Sequence, residues 1–133
     1  MRVLLDTHAF LWFIEGKDSL SIFARRTIED ETTERFVSIA SLWEAAIKFS
    51  IGKLDLQQPF ATLISRQLEE NAMALLPIRV EHLTYLTTLP FHHRDPFDRL
   101  LIVQAMVENM PIISTDEAFD DAAMVSVCKA AED

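Results

Sequence analysis

Apolar positions along the chain fall into short blocks whose spacing alternates between strand-like and helix-like. Arg2–Leu5 carries an apolar run without alternation, the pattern of a short strand covered on both faces. His8 to Ile14 is apolar and rich in aromatics, and Leu20 to Asp30 repeats at helical spacing, so a strand followed by helices opens the chain. Phe36–Ile39 predicts a second strand, followed by a helix from about Ser41 to Ile51 that Gly52 ends. After Pro59 the spacing predicts a helix over Phe60–Asn71, then a short strand at Leu75–Ile78 and a helix over Glu81–Leu89. The segment HHRDPFDRLLIVQAMVEN carries the clearest helix signal, with Asp95 as N-cap and Pro96 as first helical residue. Pro111 stops that helix, Pro111–Ser114 predicts a strand, and Val125–Cys128 predicts a last one.

Strands alternating with helices define an α/β protein with a mainly parallel sheet covered on both faces. In such sheets ligands bind beyond the carboxyl ends of the strands, which selects the polar residues worth weighing. At 133 residues, half of them apolar, the chain suits one core, and the expected organisation is a single domain over 1–133. Two glycines and the absence of low-complexity or repeated segments argue against a linker or a solenoid. The start MRVLLD lacks a signal-peptide core, and no segment reaches the roughly 18 apolar residues of a bilayer span. A soluble, unexported protein with no membrane partner is expected. Cys128 is the single cysteine, which excludes an intrachain disulfide and a Cys-rich zinc site and fits a reducing cytoplasm.

A formal charge of −9 argues against a nucleic-acid partner, because phosphate binding normally relies on exposed Lys and Arg. The objection weakens if several acids surround a divalent cation, which reverses the local sign. The remaining surface is still mildly acidic, so any basic contact must be local. Asp6 and Asp116 follow predicted strands and belong at the carboxyl edge of the sheet, while Glu44 and Asp98 sit in the first turns of long helices. Each has a purely structural explanation. Ser41-Leu-Trp-Glu44 reads as a capping box, Asp98 in Asp95-Pro-Phe-Asp98 complements the helix dipole, and Asp6 and Asp116 can cap the turns that follow them. Ser, Thr or Asn would cap as well, however, whereas four converging carboxylates repel one another. Two unit charges about 5 Å apart cost roughly 3 kcal/mol at an effective dielectric of 20. A divalent cation removes the conflict, and all-oxygen ligation suits Mg²⁺ or Mn²⁺.

The spans LLDTHAFLW, VSIASLWEAAIKFSIGKL, LPFHHRDPFDRLLIVQA and ISTDEAF resemble, in that order, the motifs of PIN-domain proteins of the VapC toxin type. The resemblance covers nearly the whole chain, and DPFDRLL is its most distinctive part. It implies a three-layer α/β/α sandwich and a metal-dependent endoribonuclease, restrained by a cognate antitoxin protein and commonly a homodimer. The family's acids fall on Asp6, Glu44, Asp98 and Asp116, and Thr115 matches a small polar position that supports the site. After Phe119 the chain departs from the family's pattern, reading DDAAMVSVCKAAED.

The chemistry so implied is in-line displacement at phosphorus by water with one or two Mg²⁺ ions, Mn²⁺ being the alternative. Asp6 and Asp98 are expected to ligate directly or nearly so, and Glu44 and Asp116 to orient bound waters. If water is the nucleophile, the resemblance implies a 5′-phosphate and a 3′-hydroxyl at the cut. His8, His82, His92 and His93 read as loop or surface residues, since adjacent His92 and His93 converge poorly on one ion and no HExxH spacing occurs. Lys48 reads as the i,i+4 partner of Glu44; it, Lys53, Arg94 and Arg99 are either phosphate contacts or solvated charge. Trp12 and Trp43 follow apolar neighbours at core-like spacing, with base stacking as the alternative. An aspartyl-phosphate phosphatase also starts with a strand ending in Asp, but it needs a second Asp where this chain has His8. A non-catalytic RNA- or protein-binding domain of the same fold is the other alternative.

Overall fold

A computed structural model describes residues 1–16, 20–89, 95–114 and, as backbone, 127–129. Thr115, Asp116, His92, His93, Arg94 and the start of the predicted last strand lie outside the described residues. The elements run β1 (Arg2–Leu5), α1 (Thr7–Glu15), α2 (Ile22–Glu29), β2 (Glu34–Ser38), α3 (Ile39–Ser50), α4 (Phe60–Glu70), β3 (Met73–Leu76), α5 (Val80–Leu86), α6 (Pro96–Glu108), β4 (Ile112–Ser114) and β5 (Val127–Lys129).

Among the described residues the strands form one five-stranded sheet in the order β3-β2-β1-β4-β5, with every neighbouring pair parallel. Val3, Leu4 and Leu5 are all buried because alternate side chains enter opposite layers. Val3 and Leu5 pack with Val37, Met73 and Ile113 against α1, α2 and α4, through Phe10, Ile28 and Ile64. Leu4 and Ile112 pack on the other side against Leu101, Ile102 and Ala105 of α6. The result is the three-layer α/β/α sandwich expected from sequence. Each fully buried Leu, Ile or Phe contributes about 1.5–3 kcal/mol relative to exposure, so these two clusters dominate the folding energy. In α6 every residue from Arg99 to Ala105 is buried, which explains why its apolar stripe is broad rather than one-sided. None of the described helices is long and apolar enough to cross a membrane.

Three boundaries differ from the sequence reading for identifiable reasons. Ser38 closes β2 and caps α3 by accepting from the Ala40 N–H at 3.0 Å, so the helix starts at Ile39 rather than near Ser41. β3 spans Met73–Leu76 and stops before Pro77, which has no N–H for a sheet. α6 ends when Asn109 turns left-handed at φ 54°, two residues before Pro111.

Strand order places the functional edge. The chain winds from β1 outward to β2 and β3, then returns past β1 to β4, so the carboxyl ends of β1 and β4 flank the point where the winding reverses. Asp6 follows β1 and Ser114 ends β4.

Candidate functional site

Asp6 is the N-cap of α1 and is buried, at 3% exposure. Oδ1 accepts from the Ala9 N–H at 2.7 Å, and Oδ2 accepts from the Ser114 hydroxyl at 2.7 Å. The capping role is therefore real, but it uses one oxygen, and the other is fixed from across the reversal point. A cap alone does not require a buried carboxylate at that place, because Ser or Asn would satisfy the same donor.

Glu44 overturns its structural explanation. With the cap at Ser38, Glu44 lies in the second turn of α3, beyond reach of a capping box, and the Ser41 hydroxyl is buried with no hydrogen-bond partner. The Glu44 carboxylate instead accepts from the Thr7 hydroxyl at 2.7 Å through Oε1, and Oε2 pairs with Lys48 Nζ at 3.3 Å. Thr7 is the residue after Asp6, so that hydroxyl ties the second acid to the first. Lys48 is the i,i+4 partner expected, and its Nζ also stands 3.4 Å from His8 Nε2.

Asp98 is the third residue of α6, half-buried, behind the Asp95 cap that accepts from the Phe97 and Asp98 N–H groups. Phe97 meets Trp43 edge-on with ring centroids 5.0 Å apart. Each ring belongs to the residue just before an acid, Trp43 before Glu44 and Phe97 before Asp98, so this contact holds the two acid-bearing turns side by side. Trp43 is not packed away as its spacing suggested: it remains 58% exposed. Asp116 and Thr115 follow Ser114 directly but lie outside the described residues.

Thr7 and Ser114 were missed in the sequence, although both are legible afterwards as the hydroxyl next to Asp6 and the last residue of a strand. His82 was misread. It is fully buried, accepts from the Arg79 N–H on Nδ1 at 3.0 Å, and donates from Nε2 to Glu108 at 2.9 Å. Gln104 lies 3.4 Å from the same Nδ1 and accepts from the Ser38 hydroxyl, so a buried polar chain runs from α5 to the cap of α3. Glu108 is held below the usual carboxylate range, first by the His82 hydrogen bond and then by Arg79, against the opposing effect of burial. Arg99, expected in solvent, is buried instead.

The donors at the edge are carboxylate and hydroxyl oxygens, which is the chemistry of a hard cation such as Mg²⁺ or Mn²⁺. Among the described residues no three His, Cys, Asp or Glu side chains gather as a metal site by themselves. The fit therefore lies in donor type and in the hydrogen bonds that fix the Asp6 and Glu44 carboxylates.

Fold and site together define a parallel α/β domain with buried and half-buried acids at its winding reversal. The PIN domain family matches residues 3–124, and the chain belongs to that family. Among solved structures it is similar to VapBC2 from Rickettsia felis bound to a promoter DNA fragment, at TM-score 0.74 and 14% identity over 98% of this chain and 99% of that one. A toxin-antitoxin complex from Klebsiella pneumoniae gives TM-score 0.67 and 12% identity over 98% and 99% of the two chains. FitAcB from Neisseria gonorrhoeae gives 0.56 and 17% over 94% and 95%. No curated protein gives a significant match.

Proposed function

We propose that the chain is an endoribonuclease and the toxin of a type II toxin-antitoxin pair, hydrolysing RNA with Mg²⁺ or Mn²⁺ held by Asp6 and Asp98, with Glu44 and Asp116 orienting bound water and Thr115 in support. The observation that carries this reading is the Asp6 carboxylate, buried at the winding reversal and fixed by donors from two different elements. Membership of the PIN family supports a nuclease activity, and structural likeness to toxin-antitoxin complexes supports the antitoxin partner.

When bound, the cation supplies positive charge to the phosphate oxygens and makes water a better nucleophile near neutral pH. The protein's own contribution is to fix the carboxylates. Ser114 and the Ala9 N–H keep Asp6 from rotating, and Thr7 keeps one Glu44 oxygen aimed at the same edge. Lys48 offsets charge on the other Glu44 oxygen, lowering the repulsion between the acids. In the reaction a water oxygen bonds to phosphorus and the bond to the 3′ oxygen breaks, leaving a 3′-hydroxyl and a 5′-phosphate.

The partner chemistry has its own support. Ile39, Trp43 and Ile47 form an exposed apolar stripe at four-residue spacing on α3, which favours the homodimer. The test of the reading is end analysis of RNA cut with Mg²⁺ and with EDTA. Metal-dependent 5′-phosphate ends support it; metal-independent 2′,3′-cyclic phosphate ends contradict it.

A further inference from the structure

A cavity of about 360 Å³ opens between α1 and the carboxyl end of α3, beginning at Lys48, one helical turn beyond Glu44. Its floor is apolar, with Trp12 beside Leu11 and Leu54, and its polar lining is His8, Glu15, Lys48 and Lys53. The two lysines are brought together by the end of the helix. Gly52 at φ 78° donates its N–H to Phe49 at 3.2 Å, and the Lys53 N–H donates to the Lys48 carbonyl at 2.8 Å, a Schellman turn that folds Lys53 back onto α3. Among the described residues Lys53 pairs with no carboxylate, whereas Lys48 is shared between Glu44 at 3.3 Å and His8 at 3.4 Å. In a chain of net charge −9, two lysines against the one carboxylate of the lining, Glu15, leave this cavity net positive, and the Lys48–Glu44 pair joins it to the acids.

We infer that this cavity is a nucleotide subsite, taking the nucleotide next to the bond being cut with its base against Trp12 and its phosphate between Lys48 and Lys53. The inference rests on the ribonuclease reading and adds where the strand is gripped. An aromatic face together with two ammonium groups matches a planar base joined to a phosphate, since stacking tolerates any base and cations track the backbone. The volume lies at the small end of the roughly 300–1,000 Å³ typical of small-molecule pockets, which suits one nucleotide rather than a helix of a partner. The Lys48–Glu44 pair couples this subsite to the acids: a phosphate drawing on Lys48 leaves Glu44 more of its charge for the metal edge.

The test uses the full chain carrying Trp43→Phe, which leaves Trp12 as the only tryptophan reporter. An eight-nucleotide single-stranded RNA is titrated in EDTA while Trp12 fluorescence and RNA anisotropy are followed together. Quenching of Trp12 that tracks binding is expected. Lys53→Met, at an exposed loop position, is expected to weaken binding several-fold and to flatten the log–log salt slope by about 0.7, the share of one phosphate contact. RNA bound with Trp12 unquenched, or Lys53→Met leaving affinity and slope unchanged, overturns the subsite. Cleavage is read in the parent chain: if it proceeds with Mg²⁺, the ribonuclease reading survives that failure, and a parent chain that neither binds nor cuts RNA loses both. Quenching by an octaglutamate peptide but not by RNA assigns the cavity to an acidic protein segment and overturns the nucleotide assignment.

Discussion

The Ser114 hydroxyl donates to Asp6 Oδ2 at 2.7 Å, joining the carboxyl ends of two adjacent parallel strands where the winding of the sheet reverses. The bond is buried, and it orients the acid on which the proposed chemistry most depends. Ser114→Ala removes it without adding volume. A loss of about 1.5–3 kcal/mol in urea unfolding is expected, the range for a hydrogen bond to a charged group. Cleavage is expected to fall by roughly 10–100-fold, as for other groups that orient metal ligands. Unchanged cleavage in a destabilised Ser114→Ala protein would show that the bond serves folding alone.

Thr7 and Glu44 act as one unit if the hydroxyl positions the carboxylate. Thr7→Val and Glu44→Gln should each lower cleavage by roughly 10–100-fold, and the double variant should fall far short of the product of the two. Stability should change by less than about 1 kcal/mol in Glu44→Gln, because Glu44 caps nothing and its pairing with Lys48 is an i,i+4 helix pair. Multiplicative effects on rate in the double variant would separate the two residues.

Glu108 gives the fold a pH-dependent component. Its carboxylate is held below the usual range by His82 and Arg79, so the folded state binds its proton less readily than the unfolded state does. The stabilisation is therefore complete above the ordinary glutamate range and is lost as pH falls through the depressed folded value. Urea midpoints measured from neutral pH downward should fall more steeply in the parent than in Glu108→Gln. Parallel curves would remove Glu108 from the acid sensitivity of the fold.

Gln104 joins the Ser38 cap to the Pro77 carbonyl and the His82 ring from within a fully buried position. Gln104→Leu keeps much of the volume and removes the partners, so a loss of about 1–3 kcal/mol is expected from the polar groups left behind. Denaturant unfolding reads this directly, and a neutral result would mean that water replaces the amide.

Much of the fold was legible because its signals are local. The apolar run after Arg2, the Asp95-Pro96 start of α6 and the Gly52 stop of α3 each fix their element by short-range sterics or capping. Ser38 and Ser41 show where such signals mislead: both can cap, and only the pairing of Ser38 in β2 decides which one does. Asp6 was legible as a residue at a strand end and Asp98 as one in a first helical turn, whereas Glu44 lies in the second turn of α3. Their hydroxyl partners were not, since Thr7–Glu44 and Ser114–Asp6 span 37 and 108 residues. His82 was misread for the same reason, because its burial is created by α6, which comes later in the chain.

In the proposed reaction Asp6 and Asp98 act through their charge. Asn at position 6 remains a good helix cap, so Asp6→Asn removes the charge while keeping the α1 cap, and Asp98→Asn forfeits about 0.3–1 kcal/mol of helix-dipole interaction. The decisive measurement is Mg²⁺-dependent cleavage of RNA by the parent and both variants, each shown to be folded by circular dichroism and cooperative unfolding. Cleavage that is present in the parent, abolished by EDTA and lost in both folded variants is the predicted result; full cleavage by either folded variant would contradict the assigned site.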